Sequence, residues 1–437
     1  MRPRTVGVVA WTLALALGVP AALAGCGGGE PGPAKVVPGA GPTAGPGATG
    51  AAGPGGEPGE GPGATPSAAE PFALTVTPRP GATGLPISTE IGTTATGGTV
   101  TRVTLTERGG GRVAGAPRED GTGWIPARPL RYGRDYTAAV TARRSDGQVE
   151  TRSTTFRTAA QRPAAKTGTG LYLFDGATYG VAMPVVVEFF PGIRPADRAA
   201  VQRRLLVTTT PPQPGVWHWV PNGTQAYYRA PRFWQTGTRL TVRIALDGHP
   251  TGGGRHGDTD RSATVTIGRR LVMEVDNATK QMSVRREGRL LRKIPVSLGK
   301  KSTPSSSGTM VVMEKKEKTV FDTRAELGPR EGYRIDITYA QRLTWGGEYI
   351  HAAPWSVADQ GRRNVSHGCV NMSQENAAWL FDQTLVGDPV TVRGTERRLA
   401  DGNGWTPWLF RWPDYIRGSA LPVPPDLAAA ADEEISG

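Results

Sequence analysis

From Phe72 to about Thr158 the apolar positions alternate in short runs broken by Gly and Pro, and no helical periodicity is present. Tyr136, Ala138, Val140 and Ala142 fall on one face of such a run. The turn Ser145-Asp146-Gly147 follows, and then a second run ending near Phe156. Alternation, turn and alternation predict a hairpin, and regular short strands over 72–158 predict a small antiparallel sandwich. Residues 159–268 repeat the character. Val185, Val187 and Phe189 alternate, as do Leu240, Val242, Ile244 and Leu246. A short helix is expected after Pro195, where Val201 and Leu205 lie one turn apart. Trp217, Trp219, Tyr227, Tyr228, Phe233 and Trp234 concentrate aromatic mass here. It serves either as core and interdomain packing, the commoner use, or as a saccharide-binding platform.

From Leu271 the strands sharpen. Val272 to Val275 and Met282 to Val284 flank Asp276-Asn277-Ala278-Thr279-Lys280, which predicts a hairpin with a wide turn. Glu287-Gly288 then turns the chain into Leu290 to Val296. Ser302 to Gly308 is a polar loop. Ser373 is placed as a helix N-cap, with Glu375 in the first turn and Trp379, Leu380 and Phe381 behind it. Val390-Thr391-Val392 closes a mostly-β segment, 269–394, with one clear helix.

The termini change the picture of what is folded. Arg2 and Arg4 precede an uncharged apolar run, Val6 to Ala22, too short for a comfortable span and broken by Gly18 and Pro20. Residues 1–25 therefore read as an export signal. Leu23-Ala24-Gly25-Cys26 resembles a bacterial lipobox, in which the Cys carries the lipid. The alternative is an ordinary signal with an incidental Cys. Residues 27–70 hold 15 Gly, 9 Pro and 9 Ala, a composition that cannot offset its own ordering entropy. Segment 26–71 is thus expected to be a disordered tether spanning about 35–40 Å as a coil. Residues 421–437, Pro- and Ala-rich and then acidic, are expected to be a disordered tail. The expected location is the outer face of the cytoplasmic membrane, with the folded part reaching into the wall.

The net charge of +13 excludes little. It suits anionic membrane or wall polymers, and the scattered basic residues of an exported chain argue against nucleic acid. Two cysteines are too few for a disulfide scaffold or a Cys-rich metal site. With Cys26 lipidated, Cys369 is the one free thiol, in a compartment where lone thiols oxidise.

Cys369 stands in Ser366-His367-Gly368-Cys369-Val370-Asn371-Met372, downstream of His351 in His351-Ala352-Ala353-Pro354-Trp355-Ser356. An unperturbed thiol is only about 3% ionised at pH 7, so a nucleophilic Cys needs a base or a positive field, and a partner His supplies both. Gly368 admits a carbonyl close to the backbone, where successive N–H groups can form an oxyanion hole. Two other readings stand beside this one: a buried structural thiol, disfavoured by the polar flanks, and a zinc site of His351, His367 and Cys369, whose spacing is unusual. No metal or other cofactor is expected. His367, two positions from the Cys, is better suited to a structural role than to that of base.

The segment His351 to Met372 resembles the active-site signature of L,D-transpeptidases, the YkuD-fold enzymes that cross-link peptidoglycan. Two sandwich domains ahead of it and the Trp405–Trp412 segment resemble the multidomain actinobacterial members. The resemblance implies a mostly-β chain with two immunoglobulin-like domains (72–158 and 159–268), a catalytic domain (269–394) with one or two helices, and a small aromatic C-terminal subdomain (395–420). It further implies Cys369 as nucleophile and His351 as base and acid, with the Ala352 carbonyl orienting the imidazole. His367 and Gly368 would flank the oxyanion hole. Tyr333, Gly346, Gly347, Asn371, Trp355 and Ser366 would contact substrate, beneath a lid near 320–331.

The chemistry so implied is two-step acyl transfer. A thioester forms at the third residue of a donor tetrapeptide stem, terminal D-Ala leaves, and an amine of an acceptor stem completes a 3→3 cross-link. β-Lactams of the carbapenem class would acylate the same thiol. The competing expectations are hydrolysis or D-amino-acid exchange by the same Cys, and, in a different class, a non-catalytic wall-binding lipoprotein.

Overall fold

Alternation dictates the first two layers. In the computed structural model, which describes residues 71–430 apart from 323, 325–327, 329–331 and 333, Asp135–Arg144 and Val149–Thr158 pair as an antiparallel hairpin. Tyr136 faces Phe156 across it with rings stacked at 5.5 Å. Gly147 at φ +84° supplies the left-handed turn residue. Tyr136, Ala138, Val140 and Ala142 are all buried, as their shared face predicts. Their five-stranded sheet covers a four-stranded one around Leu74, Ile91, Leu105 and Trp124. The export signal, Cys26, the tether, Tyr333, most of the expected lid and residues 431–437 lie outside the described residues.

The second sandwich pairs a six-stranded sheet with a four-stranded one. All six aromatics singled out from its sequence are buried core, so they form no exposed platform. The expected helix runs Pro195–Gln202 with Val201 buried, but Leu205 is not on it. Leu205 opens the strand Leu205–Thr210, where a β-branched run pairs with Arg239–Ile244 and outweighs helical spacing.

The third domain is two sheets and a helix. One sheet orders Arg289–Pro295, Gln281–Arg286, Leu271–Asp276, Pro389–Arg393, Ser306–Val311 and Arg397–Arg398. The other orders Glu314–Asp322, Arg334–Arg342, Tyr349–Ala352 and Val370–Met372. Both predicted hairpins of the first sheet are present. Asp276 accepts from the Ala278 N–H at 2.8 Å in one turn, and Glu287 and Gly288 take positive φ in the other. Ser373 caps Gln374–Gln383 by accepting from the Asn376 N–H at 3.2 Å.

The second sandwich and the third domain pack directly against each other. Gly180 donates to the Val386 carbonyl at 2.8 Å, and a Cβ on it would stand 2.3 Å from the Asp388 nitrogen. Asp388 is fully buried and held by Arg269 at 3.0 Å. Burial nonetheless pushes its carboxyl up to about 6.

The C-terminal segment does not stand apart. After Arg397–Arg398 it returns to the second sandwich, where Trp405 and Trp408 enter that domain's core. There the guanidinium of Arg229, 1% exposed, lies 4.2 Å from the Trp408 ring centroid and 4.3 Å from that of Tyr415. The expected disorder from 421 onward is corrected over 421–430. Pro425–Ala428 is a helical turn, and Leu427, 9% exposed, packs with Trp412 and Tyr415. The Trp412 indole N–H donates to the Leu427 carbonyl at 2.6 Å. Pro424 and Pro425 preset the turn, and one Leu is anchor enough. Deleting residues from Leu421 onward uncovers that indole and strips Leu427 from the core. It should cost about 2–4 kcal/mol in denaturant unfolding, and an unchanged midpoint contradicts the packing.

Candidate active site

The site is assembled by strand register. Tyr349–Ala352 and Val370–Met372 run parallel, with Ile350 opposite Val370 and His351 opposite Asn371. Registered partners project to the same face and alternate residues share it. His351 and Asn371 therefore face one way, with Cys369 two positions before Asn371, while Ile350, Ala352, Val370 and Met372 enter the core. Their face forms one wall of a cavity of about 350 Å³, lined by Cys369, His351, Asn371, His367, Ser366 and Trp355 together with Arg334, Ile335 and Val365.

The turn that carries Cys369 is stapled from within. Ser366 Oγ accepts from the Gly368 N–H at 3.1 Å and donates to the Cys369 carbonyl at 2.7 Å. Gly368 takes φ +129°, a conformation that favours glycine. Its carbonyl accepts from Ser305 Oγ at 2.7 Å. The Gly368 amide is thus engaged by Ser366, while the Cys369 amide has no acceptor among the described residues and is the N–H available to an oxyanion. Ser366, expected to contact substrate, commits its hydroxyl hydrogen to the turn.

His351 is 4% exposed and its Nδ1 lies 2.8 Å from the Ala352 carbonyl. A carbonyl only accepts, so Nδ1 carries the proton and Nε2 keeps its lone pair. Phe321 meets the imidazole edge-to-face at 5.4 Å, and Trp355, 56% exposed, lies across it at 6.0 Å. Burial pulls the imidazole down to about 4, against the Ala352 hydrogen bond. Burial likewise pushes the Cys369 thiol up to about 12. Both shifts favour the neutral forms of the two groups at rest, with Cys369 as a whole half-buried at the cavity wall.

Two glycines were expected beside substrate. Gly347, at φ +87°, accepts from the Cys369 thiol at 3.7 Å, and Gly346 donates its N–H to Asn403 Oδ1 at 2.8 Å. Asn371 is buried, and its orientation follows from Ser356. The Ser356 hydroxyl donates to the Ala353 carbonyl at 3.0 Å, so it can only accept from Asn371 Nδ2, 3.3 Å away. That leaves Asn371 Oδ1 buried without a partner among the described residues, beside the cavity, as an acceptor for a substrate N–H. Phe321, Ser356, Ser305, Arg334 and Glu348 were not assigned roles from the sequence. Only Ser356 and Arg334 carried a signal, as neighbours of Trp355 and Tyr333. Among the described residues no group of three or more His, Cys, Asp or Glu side chains is arranged to hold a metal ion.

Residues 270–392 match the family model of the L,D-transpeptidase catalytic domain, and residues 82–250 match that of a bacterial Ig domain. The chain is 33% identical over 351 residues to L,D-transpeptidase 2 of Mycobacterium tuberculosis, covering 79% of this chain and 85% of that one. It belongs to the L,D-transpeptidase family. It is also 36% identical to L,D-transpeptidase 5 of Mycobacterium tuberculosis, over 79% of this chain and 75% of that one. Among solved structures it is similar to the LD transpeptidase LdtMt1 in complex with imipenem, at 35% identity, covering 53% of this chain and 100% of that chain, with a TM-score of 0.44.

The neutral resting pair of this L,D-transpeptidase has a kinetic signature. Alkylation of Cys369 by iodoacetamide should climb about tenfold per pH unit through about pH 9, because only thiolate reacts. A plateau near neutral pH would instead reveal a preformed thiolate–imidazolium pair.

Proposed function

We propose that this L,D-transpeptidase forms 3→3 peptidoglycan cross-links through a thioester on Cys369, with His351 as the proton carrier. The observation that carries the reading is the commitment of His351 Nδ1–H to the Ala352 carbonyl, on the strand face shared with Asn371 and in the cavity that Cys369 also lines. The free Nε2 lone pair is then the only basic position of the ring, and it belongs to a buried imidazole in the cavity wall.

In the first step Cys369 Sγ bonds to the carbonyl carbon of the third residue of a donor tetrapeptide stem. The thiol proton passes to His351 Nε2 as the C–S bond forms, and the Cys369 amide receives the developing oxyanion. The C–N bond to terminal D-Ala breaks, and the imidazolium returns the proton to the departing amine. In the second step a side-chain amine of an acceptor stem attacks the thioester. It loses its proton to His351, and the thiol leaves with that proton. A carbapenem is an acyl donor of the same kind, whose opened ring would remain on sulfur. Asn371 Oδ1 and the exposed face of Trp355 suit a peptide N–H and an apolar segment of the donor.

Placement at the outer face of the membrane through lipid on Cys26 is part of the same proposal. It is supported by the lipobox-like Leu23-Ala24-Gly25-Cys26 and the Gly/Pro/Ala-rich run behind it. The test is mass spectrometry of products after incubation with disaccharide-tetrapeptide, beside a Cys369→Ala control. Cross-linked dimer with loss of D-Ala, absent in the control, is expected. Tripeptide without dimer would make the enzyme a hydrolase on that substrate, and dimer from the control would remove Cys369 from the mechanism.

A further inference from the structure

Behind the Cys369 turn sits a buried charge that the acyl-transfer steps do not use. Glu348, between Gly347 and Tyr349, is 4% exposed. Its carboxylate accepts from the Ser306 N–H at 3.1 Å and from Ser306 Oγ at 2.7 Å, and it pairs with Arg397 of the C-terminal segment. Its backbone is fixed as well. The Glu348 N–H donates to Thr344 Oγ1 at 3.0 Å, and its carbonyl accepts from the Leu343 N–H at 2.9 Å.

This carboxylate lies between the two chain segments that bracket the thiol. On one side is Gly347, whose carbonyl accepts from Cys369 Sγ. On the other is Gly368, where the position of a missing Cβ is 3.5 Å from Glu348 Cγ and 3.8 Å from the Arg397 guanidinium. The same serine run anchors both, since Ser305 holds the Gly368 carbonyl and Ser306 holds Glu348. A buried carboxylate is costly to desolvate and is retained where its partners are complete. Here they tie together three parts of the chain.

We propose that Glu348 is a positioning residue for the acyl transfer, its carboxylate bracing the Gly347 carbonyl and the Gly368 turn on either side of the Cys369 thiol, with Arg397 closing the brace from the C-terminal segment. The inference rests on Cys369 being the acyl-accepting thiol. Because the carboxylate is negative and close, it also holds the proton on sulfur, adding to the effect of burial. Among the described residues, the other charged or titratable groups around the thiol are His351 and Tyr349 on the neighbouring strand, His367 on its own turn, Arg334 across the cavity and Arg397 behind Glu348. A residue that only filled space would not set the thiol's titration.

Two substitutions separate alignment from charge. Glu348→Gln removes the charge and keeps the shape, and Glu348→Ala removes both. The readouts are the pH midpoint of iodoacetamide alkylation at Cys369 and the rate of carbapenem adduct formation by intact-protein mass spectrometry. Both variants should alkylate about tenfold faster than wild type at pH 7 through a lowered midpoint, and Glu348→Ala should acylate about tenfold more slowly than Glu348→Gln. If Glu348→Ala does not fold, Ser306→Ala takes its place, with slowed acylation relative to wild type expected at an unlowered midpoint. An unmoved midpoint in Glu348→Gln, or acylation in the alignment variant as fast as in its comparator, overturns the proposal. Wild-type protein that takes no adduct at all would refute the acyl-transfer reading instead, while the alkylation midpoint still judges Glu348.

Discussion

Parallel pairing of Tyr349–Ala352 with Val370–Met372 is the constraint on which the site depends. A slip of one residue would send His351 into the core and bring Ile350 to the cavity, since alternate residues face opposite ways. The register is held from both sides. Ile350, Ala352, Val370 and Met372 fill the interior, and Asn371 bonds through its backbone to Ser297 at 2.9 and 3.0 Å. Ser297 lies two residues beyond the edge strand Arg289–Pro295, so this bridge joins the two sheets beside Cys369. The placement of His351 and Asn371 thus follows from core packing, with the glycine-dependent turn before Cys369 as a local specialisation.

The domains outside the catalytic sheets contribute to that rigidity. The chain leaves the site at Arg397, which meets Glu348, passes Asn403, which holds Gly346, and roots Trp405 and Trp408 in the core of the second sandwich. Arg229 completes the root by offering its guanidinium to Trp408, Trp412 and Tyr415. A cation enclosed by aromatic faces replaces lost hydration with quadrupole attraction, and its N–H groups are directed to carbonyls such as that of Phe410. Contacts between Gly180 and Asp388 bind the same two bodies a second time. The second sandwich therefore acts as the foundation of the turn that faces Cys369.

Much of this was legible where chemistry is local. Two-residue alternation located the hairpin of Tyr136 and Phe156, Ser373 announced its helix, and the Ser366–Met372 motif with His351 pointed to residues that the fold brings to one cavity. What could not be read depends on distant contact. Ser305 and Ser306 look like any polar loop until Glu348 and Gly368 are brought to them, and a Glu in a Gly-rich turn gives no sign of burial. Leu427 was hidden in a Pro- and Ala-rich tail because one anchoring side chain scarcely changes composition. Leu205 was assigned to a helix because spacing alone cannot report the strand partner that claims it. The pull of burial on His351 was likewise unreadable, because Phe321 reaches the imidazole from another strand.

The proposed acyl transfer turns on where one proton rests before a donor arrives. Histidine-selective isotope labelling and nuclear magnetic resonance of the unacylated enzyme read this directly from the ring nitrogens of His351. A neutral ring at pH 7, protonated on Nδ1 and bare on Nε2, is expected, one that takes up a second proton only as the pH falls toward about 4. An imidazolium at neutral pH that becomes neutral in Cys369→Ala would contradict it, because the proton would then have left sulfur before any bond was made.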